Sequence, residues 1–465
     1  MNNESWIRRS LAHVWHPCTQ MRDHAGAAPE LPLIPVRSAE GAWLEDFEGN
    51  RYLDAVSSWW TNIFGHRHPY IVEQLKAQLD TLDHVMLAGF THETVIELSE
   101  RLVQITPPGL DRCFYADNGS SAIEVALKMS FHYWLNAGRP GKTRFVALSN
   151  SYHGETLGAL AIGHTGLYRD TYAPLLLEPI HVPSPDCYER GVGQSWEDHS
   201  RQQFQWMEDT LARHADEICA VIVEPLVQCA GGMRMYHPIY LSMLREACTR
   251  HGVHLIVDEI AVGFGRTGRL FASEWAPPLS RDGGAESGIT PDFMCISKGL
   301  TGGTLPLAVT LTRDEIYQAF YADYREGKAF LHSHSYTGNP LACRAALATL
   351  DLFEREKPLL SNRMLAQLMW SQTAELRSHP HVAEVRQQGM ILAIEMVRNV
   401  HRKEPYPSEE RRGLRAYRHA LSRGVLLRPL GNVLYFMPPY VITPREVERL
   451  CQVAIEAVNE ATRDA

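Results

Sequence analysis

The sequence has no run of eighteen or more apolar residues, so it offers no membrane-spanning helix. Nor does it have an excess of positive charge. Lys and Arg number 45 against 54 Asp and Glu, a net charge of -9 with pI near 6.2, and a nucleic-acid partner that needs a basic face is not expected. The nine cysteines are scattered, odd in number and contain no C-x-x-C pair, which supports neither a disulfide framework nor a thiolate zinc site. The 22 histidines include no H-E-x-x-H, and His332-Ser333-His334 has no acidic or thiol neighbour in sequence, so no metal is expected. Arg8 and Arg9 are followed by no apolar segment, so no secretory signal is expected. Repeats and low-complexity tracts are absent too. What remains is 465 residues, 45% hydrophobic and 21% charged, the composition of a globular cytoplasmic protein long enough for two or three domains.

Two places in the chain stand out. The apolar run 255–257 ends in Asp258-Glu259, and the run 293–297 ends in Lys298, followed by Gly299, Gly302 and Gly303. Short apolar runs bounded by turn residues read as buried strands of a parallel sheet. Similar runs at 113–115, 144–147 and 220–223 alternate with helical patterns, which predicts an α/β fold with a mostly parallel, doubly wound sheet. We expect a large domain over 65–340 and a smaller α+β domain built from 1–64 and 341–465. Helices are predicted over 70–82, with Ile71, Leu75, Leu79 and Leu82 on one face, and over 94–105, with Thr94 and Glu97 as a capping box. A last helix is predicted over 444–461. In a strand the rings of Trp59 and Trp60 would point to opposite faces, at most one in the core and the other walling a pocket. Residues 183–195 and 277–288 are read as surface loops. The basic run Arg411, Arg412, Arg415, Arg418 and Arg423 is read as a solvated helix face.

Ligands of open α/β sheets bind beyond the carboxyl ends of the strands, so Asp258 and Lys298 would meet there as an acid and an amine. Pyridoxal phosphate needs that pair, a carboxylate for its ring nitrogen and a lysine for its aldehyde. Gly119-Ser120-Ser121, between a strand and a helix, would cradle a phosphate on backbone N–H groups. Tyr152 would present an aromatic face to a ring, and Glu224, at another strand end, would sit near its phenolic oxygen. Arg428, a single cation among apolar residues, would take a substrate carboxylate if no internal acid pairs with it. Each position also has a plain reading: Asp258 and Glu224 as turn or cap residues, Gly119-Ser120 as a simple helix cap, Tyr152 as packing.

Trp15-His16-Pro17, Ser57-Ser58-Trp59-Trp60, Asn118-Gly119-Ser120, Tyr152-His153-Gly154, Gly231-Gly232-Met233-Arg234-Met235-Tyr236, Asp258-Glu259-Ile260, Gly265-Arg266-Thr267-Gly268, Ser297-Lys298, Gly338-Asn339-Pro340 and Arg428-Pro429 are spread over nearly the whole chain. Together they resemble the class III aminotransferases of pyridoxal phosphate fold type I. The resemblance implies that Lys298 carries pyridoxal 5′-phosphate, Asp258 holds its ring nitrogen and Tyr152 stacks on the ring. Gly119 and Ser120 would hold the phosphate, helped by Ser335, where the family usually has Thr, from the other subunit of a homodimer with shared active sites. Trp59, Trp60, Arg266, Arg428 and Tyr435 would line the substrate pocket, Arg428 binding a keto-acid carboxylate. The double Trp and the 427–440 segment resemble the branch of biotin biosynthesis. It implies ping-pong transfer of the amino group of S-adenosylmethionine to 8-amino-7-oxononanoate, through pyridoxamine phosphate, to give 7,8-diaminononanoate. The alternative is a class III ω-aminotransferase that uses lysine, ornithine or a diamine. Cys18 and Glu155 stand where the family pattern has Tyr and Asp, both near the substrate amine, so these departures bear on donor recognition.

Overall fold

The runs that end in Asp258 and Lys298 form the centre of a seven-stranded sheet in a computed structural model of the chain, which describes residues 2–26, 29–279 and 288–464. The chain divides into two units, Tyr70–Leu359 and Met1–Pro69 together with Leu360–Ala465. In the larger unit the strand order is Arg112–Ala116, Ala308–Thr312, Phe293–Ile296, His254–Asp258, Ile218–Val223, Arg144–Leu148 and Ile180–Val182. Only Ala308–Thr312 runs antiparallel to its neighbours. Five of these strands coincide with the apolar runs of the sequence. Ala308–Thr312 is less visible as an apolar run because Thr310 and Thr312 break its hydrophobicity. Both are nevertheless buried, and their hydroxyls donate to Ala122 O at 2.8 Å and Asp292 O at 2.9 Å.

The helix Gly119–Asn136 lies on this sheet, burying Ala122, Ile123, Val125, Ala126 and Met129 in one core cluster with Phe145, Ile222, Ile256, Phe293 and Cys295. The helix expected over 70–82 is Pro69–Leu79, and its apolar period is not a core stripe. Ile71 is buried, Leu79 faces solvent, and the buried Gln78 donates to Leu82 O at 2.9 Å. The next helix, Glu93–Ile105, begins one residue early, because His92 Nδ1 accepts from Val95 N at 3.2 Å and takes the capping role expected of Thr94. Pro340–Glu356 packs on Glu93–Ile105 and on the turn Lys298–Thr301, with Arg101 reaching Asp351 and Glu354 at 2.7 Å. This helix therefore lies in the larger unit, and the division falls after 359, not after 340.

In the smaller unit the strands Val36–Glu40, Trp43–Asp46 and Arg51–Asp54 form a sheet that Val425–Leu426 joins in parallel, tying the two chain segments together. A second sheet holds Val382–Gln388, Ile391–Asn399, Glu404–Pro405 and Val433–Phe436. The last helix, Pro444–Thr462, is fixed at its start by Glu446 Oε2, which accepts from Thr443 N at 2.7 Å, and it buries Val447, Leu450, Ala454 and Val458. Two expectations are corrected here. Ser57–Trp60 is not a strand but a left-handed turn, with φ of 49°, 44°, 75° and 74° at its four residues. And Arg412 is not solvated: it is buried and donates to Ala461 O at 2.7 Å, while Arg415 and Arg418 pair with Asp464 and Glu30. Of the loop expected over 277–288, residues 280–287 lie outside the described residues. Among the described residues no helix is long and apolar enough to cross a membrane.

Ile256 sits at the middle of the sheet with none of its surface exposed. Ile256→Ala is expected to cost about 2–5 kcal/mol, measured as a lower urea midpoint by circular dichroism.

Candidate active site

Strand register assembles the site. Val223 lies opposite Val257, and Asp258 lies opposite Cys295. One step further along each strand, Glu224 and Asp258 are therefore neighbours at the carboxyl edge, with Lys298 starting the turn after Phe293–Ile296. That is where a parallel sheet places its ligand crevice.

Each side chain there is held by identifiable partners. Asp258 is buried; its Oδ2 receives His153 Nδ1–H at 2.7 Å and its Oδ1 receives Ile260 N–H at 3.1 Å. Glu224 is buried and accepts from Tyr152 N at 3.0 Å and Cys229 N at 3.1 Å, so it is neither a surface acid nor a helix cap. Burial, with the charge of Asp258 added, pushes the Glu224 carboxyl well above the usual carboxylate range, against the pull of those two N–H groups. Burial also holds the Lys298 amine below the usual lysine range, opposed by the charges of Asp258, Cys229 and Glu224. Lys298 stands in the left-handed region at φ 46°, directly after Ser297, whose hydroxyl donates to Leu307 O at 2.7 Å. An amine that burial makes lose its proton easily is suited to nucleophilic attack on a carbonyl.

The helix Gly119–Asn136 begins at the same edge. Asn118 Oδ1 caps Ser121 N at 3.0 Å, while the N–H groups of Gly119 and Ser120 meet no acceptor among the described residues. Two open N–H groups at the start of an 18-residue helix suit a phosphate. Gly119 packs tightly: a Cβ there would lie 3.0 Å from Ile260 Cγ2. Ser120 Oγ accepts from Glu155 N at 3.1 Å and touches the segment after Tyr152 so closely that a Cβ on Gly154, at φ 124°, would fall 1.8 Å from it. The Tyr152 hydroxyl donates to Glu155 Oε1 at 3.1 Å. Phosphate donors, a buried carboxylate, a half-buried aromatic ring and a lysine of lowered proton affinity fit pyridoxal 5′-phosphate.

The larger unit thus brings Ser120, Tyr152, Glu155, Glu224, Asp258 and Lys298 together. Arg266 is buried in the turn that follows Asp258, and its charge reaches the Cys229 thiol. Ser335 lies in an exposed turn, and its side chain makes no hydrogen bond among the described residues. The neighbouring His334 reaches Asp117 at 3.4 Å, an acid that its local sequence does not offer; no metal-holding group is found among the described residues. Sequence reasoning gave no role to His153, although it stands beside Tyr152, nor to Glu259. Glu259 is wholly buried and fixes the following segment by accepting from Ala272 N at 2.9 Å and Ser273 N at 2.8 Å. A carboxylate next to Asp258 in an otherwise apolar stretch was the available signal.

The smaller unit holds its own set. Trp60 is buried and donates from Nε1 to the Tyr435 hydroxyl at 3.1 Å. Trp59 is 42% exposed, and the Arg428 guanidinium lies over its ring, 4.4 Å from the centroid. Among the described residues no carboxylate pairs with Arg428. Cys18 is exposed, with φ 53°.

With this fold and this strand-end arrangement, the chain belongs to the class III aminotransferases: it matches the family Aminotransferase class-III over residues 25–458. It is also similar to a Helicobacter pylori protein named adenosylmethionine-8-amino-7-oxononanoate aminotransferase, 45% identical over 463 residues and 98% of both chains. The crystal structure of the enzyme of that name from Methanocaldococcus jannaschii aligns at TM-score 0.90 with 36% identity, over 99% of both chains. An omega transaminase from Pseudomonas jessenii in complex with PMP aligns at TM-score 0.90 with 26% identity, over 98% of both. The fold is that of the fold type I pyridoxal-phosphate transferases.

Two outcomes check the site. In the apo protein, trace acetylation across a pH series should modify Lys298 with a midpoint below that of exposed lysines, because its amine loses the proton earlier; a midpoint at or above theirs contradicts the arrangement. Gly154→Ala should weaken pyridoxal 5′-phosphate binding about tenfold or more, measured by equilibrium dialysis.

Proposed function

We propose that the protein transfers the amino group of S-adenosylmethionine to 8-amino-7-oxononanoate, forming 7,8-diaminononanoate in biotin biosynthesis. It acts in the cytoplasm as a homodimer with shared active sites. The observation that carries the chemistry is the Lys298 amine in the field of Asp258 and Glu224; the substrates follow from the names of the full-length relatives.

Bound pyridoxal 5′-phosphate supplies an electrophilic carbon for amines and a ring that accepts electrons from the adjacent carbon. The protein supplies the rest. Gly119 and Ser120 N–H groups bind the phosphate, and the Ser120 hydroxyl, already tied to Glu155 N, keeps that loop closed. Asp258 offers its carboxylate to the positively charged ring N–H. Tyr152, anchored through its backbone to Glu224, presents the stacking face. Lys298 Nζ, having little hold on its proton, takes one from the amine-bearing carbon of the donor and returns one to the accepting carbon of the keto acid. Ser335 of the second subunit completes the phosphate site. Arg428 takes the keto-acid carboxylate, and Trp59, Trp60, Tyr435 and Arg266 shape the pocket. Cys18 and Glu155 meet the donor; Glu155 keeps the charge of the family's Asp on a longer arm, while Cys18 gives up a ring and a strong hydroxyl.

Lys298→Ala should abolish turnover, and retention of the wild-type rate overturns the mechanism. Arg428→Ala should raise KM for 8-amino-7-oxononanoate with little change for the donor, and the opposite split removes its assignment. Mixed in turn with S-adenosylmethionine, lysine and ornithine, the holoenzyme should convert its cofactor with the first; conversion by lysine or ornithine alone would reassign the donor.

A further inference from the structure

The turn that carries Ser335 is held at both ends by histidine rings. At its front, Lys128 of the helix Gly119–Asn136 donates from Nζ to Leu331 O at 3.2 Å and to His332 Nδ1 at 2.9 Å. His332 Nε2 lies 3.0 Å from His334 Nε2, and His334 Nδ1 lies 3.4 Å from Asp117 Oδ2, just before that helix. The turn then closes on His334, whose carbonyl accepts from Thr337 N at 3.2 Å and from Thr337 Oγ1 at 2.8 Å. At its back, His92 Nε2 lies 2.8 Å from Gly338 O, while His92 Nδ1 accepts from Val95 N at 3.2 Å.

These contacts assign every ring proton. An ammonium only donates, so His332 Nδ1 accepts and the ring carries its proton on Nε2. That N–H points at His334 Nε2, which must accept, so the His334 proton sits on Nδ1, towards the Asp117 carboxylate. His92 is fixed the other way round, with Nε2–H on the Gly338 carbonyl and a bare Nδ1 for the Val95 N–H. All three rings are therefore neutral, each with one bare nitrogen facing a donor. A second proton on His334 would set N–H against N–H across the contact with His332 and break it.

The charges around the rings decide which of them titrates. Lys128 faces the bare nitrogen of His332; burial first, then Lys128 and His334, hold that ring below the ordinary histidine range, against the pull of Glu124. Glu124 is already engaged, accepting from Thr156 Oγ1, Gly158 N and Ala159 N. Burial also holds His92 low, opposed by the Gly338 carbonyl and helped by His84. His132 packs on Phe330 beside this cluster. Asp117 faces His334 on the nitrogen that already has its proton, which leaves Nε2 of His334 as the place for an added one.

We infer that His332 and His334 are positioning residues whose mutual hydrogen bond holds the Ser335 turn in place for a cofactor phosphate, and that acid opens this joint and loosens the hold on pyridoxal 5′-phosphate. The inference rests on the proposed function, because it takes Ser335 to complete the phosphate site of the second subunit. The sign is set by the neutral rings: the joint is closed above the ordinary histidine range, about 6.5, and opens as pH falls through and below it. Lys128 and Asp117 also tie this turn to the helix start that is proposed to hold the phosphate of the chain's own site.

The test is the dissociation constant of pyridoxal 5′-phosphate, measured by dialysis of holoenzyme at about pH 8 and about pH 5.5, on either side of the histidine range. In wild type it should rise about tenfold or more towards acid. His334→Gln keeps an acceptor for His332 but cannot titrate, so it should bind like wild type at the higher pH and lose most of that rise. Titration of the cofactor itself is common to both proteins, and a His334→Gln protein that keeps the full wild-type rise overturns the inference. At the higher pH, His334→Leu and Ser335→Ala should each weaken binding, and the double variant should be no weaker than Ser335→Ala; additive losses place the histidine's effect elsewhere and overturn it too. Should the histidine variants not fold, nitrogen NMR of wild-type holoenzyme labelled in histidine decides. It must show His332 protonated on Nε2 and His334 on Nδ1 at the higher pH, and any other pair of tautomers overturns the inference. Failure of the underlying reading looks different, since a Ser335→Ala protein with unchanged cofactor binding removes the shared phosphate site before any histidine is altered.

Discussion

Negative charge crowded at the carboxyl edge of the sheet is the constraint that the larger unit is arranged to satisfy. Register puts Glu224 and Asp258 side by side, both buried, and one amine, Lys298, follows on the next strand. Isolated, each ion would be costly to bury. The chain meets the cost with directed N–H groups: two from the backbone on Glu224, one from the backbone and one from His153 on Asp258. Burial, with the charge of Asp258 added, still raises the proton affinity of the Glu224 carboxyl well above normal, against its two backbone donors.

The backbone follows from the same demand. Tyr152 reaches Glu224 because the loop after Arg144–Leu148 turns back over the sheet edge, and the loop can do so only with Asn150 at φ 62° and Gly154 at φ 124°. Asn150 anchors its own turn through Nδ2, which donates to Gly231 O at 2.7 Å. The start of the helix Gly119–Asn136 and the segment after Tyr152 are joined through the Ser120 hydroxyl, which accepts from Glu155 N. Ser120, the 152–155 segment, Glu224 and Asp258 thus form one hydrogen-bonded unit, and a disturbance at one is felt at the others.

Much of this was legible in the sequence because charge after an apolar run is a local signal. Asp258, Lys298 and Glu224 all announce themselves as strand ends, and register alone then brings them together. What the sequence hid has physical reasons. Thr310 and Thr312 satisfy their hydroxyls on buried carbonyls, so a core strand reads as half polar. Leu79 keeps helical spacing with Ile71 and Leu75 yet faces solvent, since periodicity records a possible stripe and not its partner. The left-handed turn Ser57–Trp60 was misread as strand because four consecutive residues in that region are costly, about 1–2 kcal/mol each for L-residues, and no local rule favours it. His153 was passed over because a histidine's importance depends on which atom its nitrogen meets, and the Asp258 carboxylate is 105 residues away in sequence.

The turn that the sequence misread is held by contacts from both segments of the smaller unit. Ser57 Oγ donates to Met437 O at 2.8 Å, Ser58 Oγ to Asp54 Oδ2 at 2.8 Å, and Trp60 to Tyr435. Strain on this scale persists only where the surroundings over-determine it. Its result is that adjacent indoles serve opposite ends: Trp60 is locked into the core, and Trp59 is left outside beneath the Arg428 guanidinium. That guanidinium rests on an aromatic face, and among the described residues no carboxylate pairs with it. An aromatic face steadies a cation without neutralising it or filling its in-plane donors. The backbone strain is therefore spent on keeping one positively charged fork oriented, as the proposed recognition of a substrate carboxylate by Arg428 requires.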